Sequence, residues 1–546
     1  MSLVCDKYIN PEFGTDGILS KLTFNIPENF NFGYDVVDVL AEKCPDKRAL
    51  IYLTDDKKET VFSFSDISKY SNMTANYFRS LGIQKGDRVM LVLKRHYQFW
   101  FSIIALHKLG AIVIPATHLL TKKDFVYRFQ AAGVKAIVCT AEGEVSDHVD
   151  ASLPECPETT IKVLVNGKKE GWHDFNEEFK AFSDKMERVD TKADELMLMY
   201  FTSGTTGYPK IAAHAHTYAI GHIQTAKYWH NVRPDGVHFT ISDTGWGKAV
   251  WGKLYGQWFC ESCVFVYDFE KFKAADILGV MEKYEITTFC APPTMYRFFI
   301  QEDITKYDLS GLQYCTIAGE ALNPEVYNQF YKATGLKLCE GFGQTETTLV
   351  VATLVGMEPK PGSMGKPSPQ YDVALVDSDD NEVANGEVGE ICLRTDKGAP
   401  IGMFKEYYRN PEKTKEAWHD GLFHTGDMAW RDEDGYFWYV GRTDDLIKSS
   451  GYRIGPFEIE SALMEHPAVV ECAVTAVPDP IRGQAVKGTI VLAKGYTPSD
   501  ALVKEIQDFV KKATAPYKYP RVVEFVDELP KTISGKIKRV DIRNNK

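Results

Sequence analysis

No apolar run in this 546-residue sequence approaches the ~18 residues that a membrane-spanning helix needs. There is no surplus of basic residues either: the net charge is −12, which speaks against a nucleic-acid partner. The opening stretch MSLVCDKYINPEFGTDG lacks both a basic-then-apolar signal peptide and an Arg-rich amphipathic leader, so a cytoplasmic location is expected. Cys260 and Cys263 form a CxxC pair, but no second CxxC or paired histidine follows, leaving a structural zinc site two ligands short. The eleven scattered cysteines, mostly in apolar contexts such as VKAIVCT and GEICLR, read as buried reduced thiols rather than a disulfide framework. Internal repeats and low-complexity linkers are also missing.

What is present is the composition of a soluble globular protein, 44% hydrophobic and 25% charged, in a chain long enough for several folding units. Up to about residue 370, helical and strand patterns alternate. SFSDISKYSNMTANYFRSLG has helical spacing with Ser65 as a candidate cap and Gly82 as a stop, and the buried strand KGDRVMLVL follows. QFWFSIIALHKLG ends at Gly110 before AIVIPA, and TKKDFVYRFQAAG precedes VKAIVC. The alternation predicts doubly wound parallel sheets with ligands at the carboxyl ends of the strands. Between about 370 and 443 the pattern becomes short strands joined by acidic or glycine turns, a β-rich subdomain. The fold class is therefore α/β. A large N-terminal domain (1–443) of doubly wound sheets carries the β-rich subdomain, and a small hinged α+β domain (444–546) follows. Residues 445–546 have 16 Lys and Arg against 13 Asp and Glu, a mildly basic unit on an acidic body, which suits a cap over an anion or is plain surface variation.

The densest chemistry lies in YFTSGTTGYPK. Gly204 and Gly207 permit turns that aim backbone N–H groups at an anion. Thr202, Ser203, Thr205 and Thr206 add hydroxyl donors, and Lys210 adds a charge. The spacing is not that of Walker A, GxxxxGK[ST]. TSGTTGYPK is followed by GFGQTET (341–347), HTGD (424–427), GRTDDLIKSSGYRI (441–454) and PKTISGK (530–536). In this order and spacing the motifs resemble those of the adenylate-forming enzymes, a superfamily of acyl-CoA synthetases, peptide-synthetase adenylation domains and firefly luciferase. The resemblance spans about residues 30 to 540, and SDTGWG, ALHKLGAIVIPAT and TAPYKYPR look most like medium-chain acyl-CoA synthetases.

The resemblance implies a two-step ligase using ATP, Mg2+ and CoA with a small carboxylic acid. The carboxylate attacks the α-phosphorus of ATP and pyrophosphate leaves; the CoA thiol then attacks the acyl carbonyl and AMP leaves. Both steps need charge stabilisation more than acid–base chemistry. By the same resemblance, residues 202–210 hold the β- and γ-phosphates. Gly319 and Glu320 line the adenine. Glu340, Gly341, Phe342, Gly343, Gln344 and Thr345 hold adenine and the α-phosphate, with flat access at the glycines and Phe342 as a stacking ring. Glu346 is implied as the Mg2+ ligand, Asp427 as the ribose acceptor, and Arg442 and Arg453 as contacts to ribose or phosphate. Asp444 falls at the hinge. Lys536 bridges the carboxylate and the α-phosphate during adenylation and then withdraws, letting Ser450, Gly451 and Tyr452 face the site with CoA. Lys536 is also implied as a point at which a lysine acyltransferase or deacylase acts. Arg482 and Lys511 match CoA-phosphate positions, with solvated surface charge as the alternative. Trp246 and Gly343 match the acyl pocket, where Gly343 leaves the tunnel open to longer chains; Lys248, Trp251 and Tyr255 shorten it or favour a branched or aromatic acid, with core packing as the alternative for Trp251. His214 and His216 read as structural. The expected activity is an AMP-forming acyl-CoA synthetase for a short- to medium-chain acid, with an aromatic-acid CoA ligase or a carrier-loading enzyme as the alternative.

Overall fold

Local sequence sets the helix ends. In the computed structural model, which describes residues 2–202, 208–449, 452–515, 517–531 and 537–544 (Arg453 for its backbone alone), the stretch SFSDISKYSNMTANYFRSLG folds as the helix Phe64–Ser80. Its cap is Ser63, not Ser65. The Asp66 amide donates to Ser63 Oγ at 3.1 Å and the Ser63 amide to Asp66 Oδ2 at 2.9 Å, a reciprocal pair that Ser65 has no partner to form. The helices Gln98–Leu109 and Lys122–Ala132 stop at Gly110 and Gly133, whose φ values of 68° and 62° lie in the left-handed region that glycine enters freely.

Two large sheets follow. One runs Glu406–Tyr407, Lys210–Ala215, Leu196–Thr202, Ile112–Pro115, Arg88–Val92, Val134–Thr140, Ile161–Val165, His173–Asp174. The other runs Lys366–Pro367, Leu349–Ala352, Leu338–Gly343, Tyr314–Ile317, Thr288–Ala291, Val237–Thr240, Cys263–Asp268, Arg48–Thr54, Glu59–Ser63. Their central strands are parallel and the antiparallel pairs lie towards the edges. Between the sheets, Gln98–Leu109 is buried over all twelve residues, in keeping with a helix that is apolar almost all round. Its one lysine, Lys108, is satisfied by Asp38 at 2.6 Å and Asn72 at 2.7 Å.

A third, antiparallel sheet is built from Val373–Val376, Val388–Arg394, Leu422–Arg431, Phe437–Arg442 and the short Trp418–His419. A fourth joins Tyr452–Ile454, Ile447–Ser449, Gly483–Leu492, Val469–Asp479 and Val522–Phe525, backed by the helices Pro456–Met464 and Asp500–Ala513. The Phe457 ring packs on Tyr439 at 5.9 Å, and Asn323 donates to the Ser461 carbonyl at 3.1 Å. Those contacts dock the last unit on the rest. The eleven cysteines are free, and ten of them, Cys260 and Cys263 included, are buried. No helix among the described residues is long and apolar enough to cross a membrane.

Candidate active site

The loop expected to hold phosphate leaves the strand Leu196–Thr202 and returns along Lys210–Ala215, with Thr202 paired to Lys210 at its neck. Ser203, Gly204, Thr205, Thr206 and Gly207 lie outside the described residues, as do Ser450, Gly451 and Lys536. Lys210 is fixed by an element that sequence patterns did not pick out. The edge strand Glu406–Tyr407 pairs with Lys210–Ala215 and places the Tyr407 ring 4.0 Å from Lys210 Nζ. On its other side, the Tyr407 hydroxyl donates to Glu346 Oε1 at 2.7 Å. Burial holds the Lys210 ammonium below its ordinary pKa, while the nearby Glu346 carboxylate acts in the opposite direction. A cation suited to phosphate and a buried acceptor-only carboxylate suited to a hard cation thus share one aromatic spacer.

The strand Leu338–Gly343 divides its faces. A Cβ on Gly341 would lie 2.5 Å from the Trp229 ring, and one on Gly343 would lie 2.4 Å from Trp251 Cη2 and 2.3 Å from the Thr348 carbonyl oxygen. The side on which a Cβ would stand is thus filled by Trp229 at Gly341 and by Trp251 at Gly343, and a larger residue at either position meets a tryptophan ring. Phe342 packs with the core that includes Val350, Met364 and Phe437. Past the strand, Gln344 donates to Asp427 and, at 2.7 Å, to the Thr425 carbonyl. Asp427 also accepts from Tyr439 Oη at 3.0 Å and from Arg442 Nη1 at 3.1 Å, since the strands Leu422–Arg431 and Phe437–Arg442 set Asp427 opposite Arg442. The chain thus brings Gln344, Asp427 and Arg442 together, with Tyr439 as a further member that no motif marked.

Glu340 is buried, and its Oε2 has no hydrogen-bond partner. Burial raises its pKa well above 4.5, against a lowering by the Leu322 amide. Burial therefore favours its protonated form in the folded chain, and the stability this contributes is fully present below the unfolded value of 4.5 and is lost as pH rises through the raised folded value. Glu340→Gln is expected to flatten this dependence and raise the urea midpoint at pH 7 relative to the parent. A parent-like pH profile in this variant would place the proton elsewhere.

Gly319, with φ of 106°, precedes Glu320, which accepts from Thr294 Oγ1 at 2.8 Å. Lys248 donates to the Ala318 carbonyl at 2.8 Å, tying this turn to the helix Gly247–Lys253 that begins after Trp246. Farther along that helix, Trp251 is buried, and its Nε1 donates to the Tyr218 hydroxyl at 3.2 Å. The Tyr218 ring lies 4.0 Å from His214, whose Nε2–H donates to the Thr345 carbonyl at 2.8 Å. Burial pushes His214 down to about 3 and His216 to about 4, so both are neutral near pH 7.

In the last unit, Tyr452 is exposed and stacks on Tyr517 at 4.2 Å. Arg482 pairs with Asp479 at 3.5 Å, and Lys511 with Asp508 at 3.3 Å, each with a carboxylate three residues before it. The Asp444 carbonyl accepts from Arg543 Nη1 at 2.9 Å in the turn Thr443–Asp445.

Comparison with known proteins gives this geometry a family. Residues 37–408 match the AMP-binding enzyme family and residues 458–536 match the AMP-binding enzyme C-terminal domain. The chain belongs to this family. It is 43% identical over 528 residues to the mitochondrial acyl-coenzyme A synthetase ACSM3 of Homo sapiens, covering 95% of this chain and 90% of that one. It is 45% identical over 529 residues to the mitochondrial acyl-coenzyme A synthetase ACSM4 of Mus musculus, covering 95% and 91%. Among solved structures, the anthranilate CoA ligase AuaEII in complex with anthranoyl-AMP superposes with a TM-score of 0.86 at 30% identity over 95% of this chain and 97% of that one. The naming of these curated relatives as mitochondrial overturns the cytoplasmic expectation. That expectation rested on a short stretch of sequence, and an organelle address is read by receptors rather than by the fold.

Proposed function

We infer that this AMP-binding family member is an ATP-dependent acyl-CoA synthetase that activates a short- to medium-chain carboxylic acid through an acyl-adenylate. The observation that carries this reading is the convergence of Lys210, Tyr407 and Glu346 with the Gln344–Asp427–Arg442 cluster, in a chain 43–45% identical to acyl-coenzyme A synthetases. In this reading Lys210 and the loop before it bind the β- and γ-phosphates, and Asp427 orients the ribose. Glu346 would hold Mg2+: its carboxylate is buried, and the Lys210 cation close by marks the same place for phosphate. Mg2+ supplies charge neutralisation on the phosphates when bound.

Trp251 shapes the acid specificity. With its ring against Gly343, we assign the pocket to short or branched acids before long straight ones. The test is pyrophosphate release and thioester formation with free CoA over straight, branched and aromatic acids. Turnover of propionate, butyrate or a methyl-branched acid supports the reading; benzoate alone as substrate would favour an aromatic-acid ligase, and transfer only to a carrier protein would favour a loading enzyme. Asp427→Ala is expected to raise the KM for ATP about 10- to 100-fold, the equivalent of charged hydrogen bonds worth ~1.5–3 kcal/mol, and an unchanged KM would remove Asp427 from the nucleotide site.

A further inference from the structure

Outside the nucleotide site, the third sheet gathers a group of side chains to which nothing above gives a role. His424 opens the HTGD turn, and its two ring nitrogens face different partners. Nδ1 lies 3.3 Å from Glu390 Oε2 and 3.4 Å from Cys392 Sγ. Nε2 is buried, has no hydrogen-bond partner, and lies 3.7 Å from Asp380 Oδ1. The His419 ring stacks on His424 with centroids 4.6 Å apart and planes 18° from parallel. Ligand atoms of Asp380, His419 and His424 all lie within 4.8 Å of one another.

The fold produces this meeting. Trp418–His419 pairs antiparallel with the start of Leu422–Arg431, so His419 and His424 come from the two sides of one tight hairpin. Asp380 stands in the turn between Val373–Val376 and Val388–Arg394, with φ of 61°. Glu390 Oε1 also accepts the Gly426 amide at 2.7 Å, so one carboxylate orients the imidazole and holds the backbone of the turn. A histidine with a carboxylate on one nitrogen and its other nitrogen unfilled is the arrangement that metal-binding histidines adopt. Two imidazole nitrogens and one carboxylate oxygen suit a borderline cation in tetrahedral coordination, with water as the fourth ligand.

We propose that Asp380, His419 and His424 form a Zn2+ site, with Glu390 orienting His424 from behind. His419 and Asp380 are partly exposed, with side-chain exposures of 35% and 38%, and can rotate the short distance needed to bring their ligand atoms to coordinating range. Cys392 is fully buried on the opposite side of the imidazole and is not a ligand. The site lies three residues before Asp427 on the same strand, so a bound ion would tie the HTGD turn to two neighbouring hairpins. Mg2+, which prefers six oxygens, does not fit this ligand set, and this separates the site from the one assigned to Glu346.

The test is a Co2+ titration of the full-length, untagged, metal-stripped protein, followed by visible absorption. One equivalent is expected to bind with the intense bands of tetrahedral Co2+ and to be displaced by Zn2+ but not by Mg2+. His419→Ala and Asp380→Asn should each weaken binding about ten-fold or more, while Cys392→Ser leaves it unchanged; both ligand variants are at partly exposed positions, and their thermal midpoints without metal report whether they fold. The proposal is overturned if the parent binds no stoichiometric ion, if folded His419→Ala and Asp380→Asn bind as the parent does, or if a thiolate charge-transfer band places the ion on Cys392.

Discussion

Lys536→Ala is expected to form acyl-adenylate about 100- to 1,000-fold more slowly than the parent, the loss typical of removing one preorganised charge-stabilising donor. The acid's carboxylate and the α-phosphate of ATP repel each other as they approach, and the lysine of PKTISGK is the cation that resemblance brings between them. Once the adenylate exists, the attacking thiol meets a mixed anhydride that no longer needs this bridge. Thioester formation from supplied acyl-adenylate and CoA should therefore remain within a few-fold of the parent. Single-turnover measurements of the two half-reactions separate these outcomes: equal losses in both would point to misfolding or a binding defect, and parent-like adenylation would remove Lys536 from the mechanism.

Trp251→Ala should shift specificity towards longer acids. Each methylene newly buried is worth ~0.8 kcal/mol, so hexanoate should gain about 60-fold over propionate in kcat/KM if three methylenes enter the vacated volume. The same change removes a buried ring and its bond to Tyr218, at a stability cost of ~3–5 kcal/mol. Trp251→Phe is the milder variant, retaining the ring packing while shortening the wall. A specificity ratio unmoved in both, with folded protein, would take Trp251 out of the acyl pocket. Enlarging Gly343 is a poor alternative probe: its Cβ would already sit 2.4 Å from Trp251, so Gly343→Trp should disrupt packing rather than merely shorten the tunnel.

Local signals in the sequence were legible where one residue type answers one backbone demand. Gly110 and Gly133 end their helices because the left-handed turn needs glycine. Ser65 resembles a cap because it is a serine near the helix start, but the aspartate three positions after Ser63 gives that role to Ser63. The motifs also located Gln344, Asp427 and Arg442, which the fold brings into one hydrogen-bonded group. Tyr407 and Tyr439 carried no signal because their roles come from strand pairing across long stretches of chain. The contact of Gly343 with Trp251 carried no signal for the same reason: Trp251 lies on a helix of a different segment.

The central claim, that an acyl-adenylate forms before any thiol enters, is tested most directly by isotope exchange between pyrophosphate and ATP. With a short acid and no CoA, the parent is predicted to catalyse acid-dependent exchange and to hold acyl-AMP. Exchange that appears only when CoA is added, or release of ADP and phosphate in place of AMP and pyrophosphate, would contradict it.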